Sequence, residues 1–452
     1  MAETKHVTIA YGKNGLALTV PSHYDVLHSR PAPGLADEAA AIRAALNSPV
    51  GCCALRGMVR PSDRVVVTHT DITRATPNNR LLPVILAELE AAGVPRDHIT
   101  LLNALGTHRA QSNEELRAML GDGIMDGGYH LVQHDAFAAE ALWTLPAADG
   151  TGDFTTSAGH KVRVNRTLAE ADVRYAYHGV MPGLCGFESV MDNHGAANIG
   201  HPRATWGVLK GNPLWEEMSE TATRLTQVQA APAPAQGSTG QLPKTFLVNV
   251  TINAARQMTG IFAGEPLAAH KMGVDFVRAH AMVPVDRPYD VVITTNSGYP
   301  LDQNLYQSVK GISAARKVVR RGGAIVMVTG CNDGLPSHGG YAAFLREAGS
   351  PAKVLEMIAQ PGFHRHDQWT VQVQANVLQH CDVHIQSEGL TAEQHAAPRI
   401  ALAIREALFI PVEPFAQGVQ TPECLLALEQ RYGPRVCIIP EGPESVGYLP
   451  EQ

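Results

Sequence analysis

Apolar residues fall along this chain in short β-branched bursts, each followed by a polar loop and then by a stretch with helical spacing. The run Val65-Val66-Val67-Thr68 predicts a buried strand over Arg64 to Thr70, delivering Asp71-Ile72-Thr73-Arg74 into the loop after it. A helix follows from about Leu81 to Ala92, with Asn78 or Asn79 near its start, Gly93 past its end and Pro95 beyond. The next strand, Ile99 to Leu105, runs into Gly106-Thr107-His108, and Ser112-Asn113-Glu114-Glu115 is a capping box that opens another helix. Two successive strands thus place polar residues at their carboxyl ends, where open α/β sheets bind ligands. Asp71, Arg74 and His108 are expected in one crevice.

The same order returns after residue 285. Val291 to Thr294 reads as a strand, Asp302 as the start of a helix carrying Tyr306, Gln307 and Lys310, and Ala324 to Thr329 as a strand after Gly322-Gly323. Between the two regions, Gln227 to Pro243 is rich in alanine, proline, glycine, serine and glutamine, and reads as a surface insertion. Arg435 to Pro440 looks like one further strand. The class expected is α/β, with two α/β domains, mainly parallel sheets and an interdomain cleft. The first domain is assigned residues 1–268 and the second 269–409, with a strand within 410–452 returning to the first.

Composition narrows the function more than the fold. A chain of 452 residues exceeds one ordinary core. Its net charge of -7 and the lack of any lysine or arginine run argue against nucleic acid. The start has no apolar signal core and no stretch is long enough to cross a bilayer, so a cytoplasmic protein without a membrane partner is expected. Seven cysteines without metal-site or CxxC spacing read as buried free thiols. Asn165-Arg166-Thr167 and Asn249-Val250-Thr251 match the glycosylation pattern but have no meaning in such a compartment.

Common cofactor and hydrolase motifs are missing: no Walker loop, no GxGxxG after a strand, no GxSxG and no HExxH. A series of short segments is present instead. They are Asp71-Ile72-Thr73-Arg74, Gly106-Thr107-His108-Arg109, Asn193-His194, Gly211-Asn212-Pro213, Phe262-Ala263-Gly264 with Ala269-His270, Gly298-Tyr299-Pro300 through Lys310-Gly311, Cys331-Asn332-Asp333-Gly334 and Asp367-Gln368-Trp369. In order and spacing this series resembles the lactate racemase family, the nickel-pincer nucleotide enzymes, over most of the chain.

The resemblance implies a racemase or epimerase that inverts C2 of a 2-hydroxy acid. In such enzymes the proton of the substrate hydroxyl goes to a base, and the Cα hydrogen passes reversibly as hydride to a nicotinate-derived ring, through a 2-keto intermediate. The cofactor holds nickel through one carbon and two sulfurs, which leaves one ligand position for a protein histidine, here His194. His108 matches the acid/base, and an unperturbed imidazole titrates near pH 6.5, about right for a proton shuttle. Asp71, Thr73, Arg74 and Thr107 match cofactor-contacting positions. Arg74, Tyr306, Gln307, Lys310 and Trp369 match positions that hold substrate or cofactor. Alone, Gln307 and Lys310 would be a solvated helix face and Trp369 an interface core residue. The resemblance also implies cofactor-synthesis enzymes as partners, and a homo-oligomer is compatible with it.

One departure bears on specificity. Between Asp172 and Asn193 the family carries a longer loop with a second acid/base histidine and a lysine that tethers the cofactor. Here the stretch is shorter and holds no lysine between Lys161 and Lys210. A cofactor held without a lysine tether is expected, with His178 as the second acid/base, and a larger substrate such as a gluconate-like sugar acid. Lactate or another short hydroxy acid is the alternative substrate. A nickel-free lyase or isomerase, or a binding protein on the same fold, are the other readings.

Overall fold

The chain starts in the body in which it ends. The computed structural model describes residues 3–30, 32–106, 108–179, 203–204, 208–228, 244–253, 255–334, 340–360, 363, 365, 368–390, 412–413 and 418–450, with side chains of 174–179 and 412–413 excepted. Strands β1 (Thr4–Ile9) and β2 (Leu16–Pro21) form an antiparallel hairpin, followed by the short β3 (Asp25–Val26). The chain divides into one body of residues 31–192 and 202–279, and another of residues 1–30, 193–201 and 280–452.

The first body is built on six strands: β4 (Val65–Thr70), β5 (Ile99–Ala104), β6 (His130–Gln133), β9 (Val173–Gly179), β10 (Lys244–Ile252) and β11 (Met258–Gly264). A two-stranded ribbon, β7 (Leu142–Thr144) with β8 (Arg163–Asn165), lies between β6 and β9 in the chain. The sheet order is β11-β10-β9-β4-β5-β6, parallel except for β11 at the edge. All six residues of β4 are buried because both sheet faces are covered. Val65 and Val67 pack with Ile42, Leu81, Ile85 and Leu89 of the helices Glu38–Asn47 and Asn78–Ala91, while Val66 packs with Met218, Ala222 and Leu225 of Pro213–Thr226. From β4 the chain steps outward to β5 and β6, then returns to β9 on the other side of β4. The switch point therefore lies at the carboxyl ends of β4 and β9.

The second body repeats this plan. Strand β12 (Met282–Pro284) pairs with β18 (Val446–Tyr448), and the main sheet is β16 (Val412–Glu413), β15 (Asp382–Gln386), β14 (Val319–Val328), β13 (Tyr289–Thr295), β17 (Val436–Ile439) and β3 in spatial order, all parallel. One face carries the helices Leu305–Ala315, Tyr341–Ala348 and Gln368–Leu378, and the other the β1–β2 hairpin and the helix Pro422–Tyr432. The switch point is between β13 and β17.

The C-terminal strand corrects the expected domain plan. Val436–Ile439 pairs with Val291–Thr294 of β13, so it completes the second sheet and does not return to the first. The first thirty residues join it there, through Cys437↔Asp25 and the Ala10 N–H donated to the Pro440 carbonyl. The 268/269 boundary falls inside the helix Pro266–Ala281. Burial pattern cannot assign a strand to one of two sheets that are both covered on both faces. The helix expected at Leu81 begins at Asn78, whose side chain does not cap it but donates to the Thr70 carbonyl. Among the described cysteines none forms a disulfide; Cys331, Cys381 and Cys437 are buried, but Cys53 is exposed, contrary to the uniform burial expected. Among the described residues no helix is long and apolar enough to cross a membrane.

Candidate active site

The carboxyl end of β4 carries a carboxylate that is 2% exposed, Asp71. Its Oδ2 lies 2.5 Å from His108 Nδ1, and its Oδ1 accepts from the Thr73 hydroxyl at 2.8 Å. Arg74 Nη1 donates to that hydroxyl at 3.4 Å, and the Arg74 N–H to the Asp71 carbonyl at 3.1 Å. Burial by itself would raise the Asp71 carboxyl. The His108 hydrogen bond and charge, the Arg74 charge and the Thr73 hydroxyl overcome it and hold the carboxyl down at about 2. Asp71 is therefore a permanent anion at neutral pH. It fixes the tautomer of His108 that donates Nδ1–H, in which Nε2 carries the lone pair that can take a proton.

His108 is brought to Asp71 by the turn after β5, closed by the His108 N–H on the Leu105 carbonyl at 2.9 Å, with Gly106 at φ +57°. The far side of that turn is pinned by side chains that the sequence does not flag. Gln133 Oε1 accepts from the Gln111 N–H and Gln133 Nε2 donates to the Gln111 carbonyl, both at 2.8 Å, while Asn103 Nδ2 donates to Gln111 Oε1 at 2.8 Å. The capping box follows directly, with Ser112 and Glu115 bonded reciprocally. Elsewhere in the sheet, Asn249 of β10 stands at the register position of His178 on β9, and Asn249 Oδ1 and Thr68 Oγ1 are buried with no hydrogen-bond partner among the described residues. The His178 side chain, Thr107 and His194 lie outside the described residues. Among the described residues, no three His, Cys, Asp or Glu side chains gather as a metal site.

The second body collects its own polar set at the carboxyl edge. Asn304, the cap of the helix Leu305–Ala315, accepts from the Gln307 N–H at 3.0 Å. Gln307 is 2% exposed and accepts from Lys310 Nζ at 2.8 Å, so the two are not the solvated face that helical spacing alone would give. The Tyr306 ring meets Trp369 and Tyr341 edge-on, each at 5.8 Å between centroids. Tyr306, Gln307, Lys310 and Trp369 thus share one neighbourhood, while Asp71, Thr73, Arg74 and His108 share another in the first body. Asp302, read from sequence as a helix start, instead lies in the preceding loop with its carboxylate buried. Ser297 and Cys331, at the ends of β13 and β14, hold φ of +60° and +46°, strained for residues with a side chain. The Cys331 thiol is pushed up to about 12 by burial, so it is no nucleophile at neutral pH.

Two open α/β bodies, each gathering polar side chains at the carboxyl edge of a parallel sheet, define a ligand-binding α/β protein with a carboxylate-supported histidine. Residues 11–207 match the lactate racemase N-terminal domain and residues 285–409 the lactate racemase C-terminal domain, so the chain belongs to the lactate racemase family and is an isomerase of the racemase/epimerase type. A lactate racemase of Thermoanaerobacterium thermosaccharolyticum is 29% identical over 397 residues, which span 82% of this chain and 86% of that protein. A lactate racemase of Lactiplantibacillus plantarum is 31% identical over 359 residues, 75% and 77% of the two chains. The lactate racemase apoprotein structure from the former organism has a TM-score of 0.81 at 26% identity, covering 98% of this chain and all of that one. A Thermotoga maritima protein, at 18% identity and a TM-score of 0.59, shares the fold alone.

Proposed function

We propose that the protein racemises or epimerises C2 of a 2-hydroxy acid by proton transfer at His108, using a nickel-pincer nucleotide. The observation that carries this reading is the Asp71–His108 pair at the switch point of the first sheet, with Arg74 beside it. In this reading His108 Nε2 takes the proton of the substrate hydroxyl while the buried Asp71 anion stabilises the imidazolium that forms. Arg74 grips the substrate carboxylate through parallel hydrogen bonds. Gln307 and Lys310 orient the hydroxy acid, Tyr306 and Trp369 close an apolar wall around it, and His178 serves as acid/base on the opposite face of the planar 2-keto acid.

The residues present fit the nucleotide. Asp71 and Thr73 follow β4 at the carboxyl edge, where a ribose docks in such sheets, and the buried oxygens of Thr68 and Asn249, without a hydrogen-bond partner among the described residues, suit a polar group bound nearby. Thr107 and His194 would complete the set, His194 as nickel ligand. When bound, the group supplies a reversible hydride acceptor. With no lysine between Lys161 and Lys210, the group would be held without a lysine tether from that segment.

For the substrate we favour a sugar acid of the gluconate type, on the reading that the shortened stretch between Asp172 and Asn193 would leave more room than lactate needs. Tyr177, His178 and Glu188 would serve its extra hydroxyls. The lactate racemases among the relatives favour a second reading, a short hydroxy acid. Chiral analysis after incubation with lactate, malate, phenyllactate and several aldonates, using protein produced with and without cofactor-synthesis enzymes and assayed for nickel, separates these. Nickel-dependent inversion of an aldonate is expected. A preference for lactate over every aldonate rejects the sugar-acid reading, and full activity in protein that never takes up nickel rejects the cofactor.

A further inference from the structure

The loop between β13 and the helix Leu305–Ala315 is tied by hydrogen bonds to two segments distant in sequence. Asp302, 1% exposed, lies at its centre. Its Oδ2 accepts two backbone N–H groups from segments distant in sequence: Gly12 at the tip of the β1–β2 hairpin, 2.8 Å, and Gly330 after β14, 3.0 Å. Its main chain is engaged as well, the N–H donating to the Gly298 carbonyl at 3.0 Å and the carbonyl accepting from the Cys331 N–H at 2.8 Å. The hairpin adds a second tie, since the Gly12 carbonyl accepts from the Tyr299 N–H at 2.8 Å and Lys13 Nζ lies 4.8 Å from the Tyr299 ring centre. Two glycines permit this approach. A Cβ on Gly298 would stand 2.8 Å from the Gly12 carbonyl oxygen, and one on Gly330 3.0 Å from Asp302 Oδ2.

This is an awkward place for a carboxylate. Burial pushes the Asp302 carboxyl up, opposed by the Gly12 and Gly330 N–H groups, and Oδ1 has no hydrogen-bond partner among the described residues. A buried polar atom left so is destabilising in itself. What the side chain does provide is a single oxygen at which two backbone donors converge, two residues before the Asn304 cap that starts the helix bearing Gln307 and Lys310.

We propose that Asp302 is a positioning residue for the substrate-binding end of that helix, and that the N-terminal hairpin turn belongs to the site through it. The inference rests on the reading that Gln307 and Lys310 hold the hydroxy acid. With the loop fixed to β14 and to the hairpin, the first helical turn is set before substrate arrives, and less ordering has to be supplied on binding.

Steady-state kinetics of the nickel-loaded full chain, with melting curves, test this in Asp302→Ala, Asp302→Asn, Gly12→Ala and Lys310→Ala. Asp302→Ala is expected to raise KM for the best hydroxy acid at least tenfold with kcat within threefold. Asp302→Asn, whose amide oxygen can accept both N–H groups, is expected to keep KM within threefold. Gly12→Ala, whose Cβ meets open space but whose φ of +48° disfavours a side chain, is expected to raise KM at least threefold without unfolding, and carries the test if Asp302→Ala does not fold. Folded Asp302→Ala and Gly12→Ala proteins with unchanged KM, beside a raised KM in Lys310→Ala, would overturn the role of Asp302 and leave the substrate reading standing. An unchanged KM in Lys310→Ala removes the substrate reading, and this inference with it.

Discussion

Asp71 owes its charge to its neighbours. It is buried, which favours the neutral acid, yet His108, Arg74 and Thr73 bring it to about 2. Its stabilising effect is therefore complete above about pH 4, the unfolded value, and is lost as pH falls from there towards 2. Asp71→Asn removes the anion and the fixed tautomer of His108 together. We expect kcat to fall at least about 100-fold with KM changed less than about threefold, measured as the rate of C2 inversion. His69 is lowered for a different reason: burial, opposed by the Thr70 carbonyl and the Asp71 charge, brings it down to about 4. The unfolded chain takes up a proton near pH 6.5 that the folded one refuses, so stability declines from about pH 6.5 down to 4, by on the order of 3 kcal/mol. Melting temperatures at pH 7.5 and 5.0 should differ less in His69→Gln than in the parent; an equal difference would assign the acid lability to other groups, among them the buried His134, which burial also lowers.

Elements differ in how openly the sequence announces them. The strand at Val65 and the strand at Ile99 are read to within about one residue, because a β-branched run bounded by polar residues has few other uses. The box at Ser112 and Glu115 is as plain, since its two side chains satisfy backbone donors three residues apart. Helix starts are harder. Asn78 and Asp302 both look like caps, and both are drawn away by longer-range partners, Thr70 for one, Gly12 and Gly330 for the other. Asn304 does the capping that Asp302 suggests. Asn304→Ala is expected to lower stability by about 1 kcal/mol and, through the helix end that presents Gln307 and Lys310, to raise KM more than kcat falls. Ser112→Ala should cost a similar amount of stability, about 1 kcal/mol, with turnover affected only as far as the His108 turn loosens; urea titration and kinetics on the two variants compare them.

At the scale of the molecule, the alternation of strand and helix gives two α/β bodies, and the motif series gives the family. Which segments build which body is less legible. The two-residue β3 has no periodicity to read, and β17 is an all-buried strand that would suit either sheet. Their assignment follows from pairing across more than 140 positions, as in the Val291↔Val436 register, which no local pattern encodes. The candidate site is legible only where chemistry and motif coincide, as at Asp71, Arg74, His108, Gln307 and Lys310. Gln111 and Gln133 act through backbone geometry and leave no mark of their own in the sequence, and Asp302 is marked there only as a helix start. The central claim is inversion at C2 by reversible hydride transfer with His108 handling the hydroxyl proton. It is tested most directly by incubating the nickel-loaded enzyme with C2-deuterated hydroxy acid in ordinary water and following both the chirality and the label. The account predicts inverted product that largely retains deuterium at C2, and loss of this conversion in His108→Ala; inversion with the deuterium washed out to solvent would contradict it.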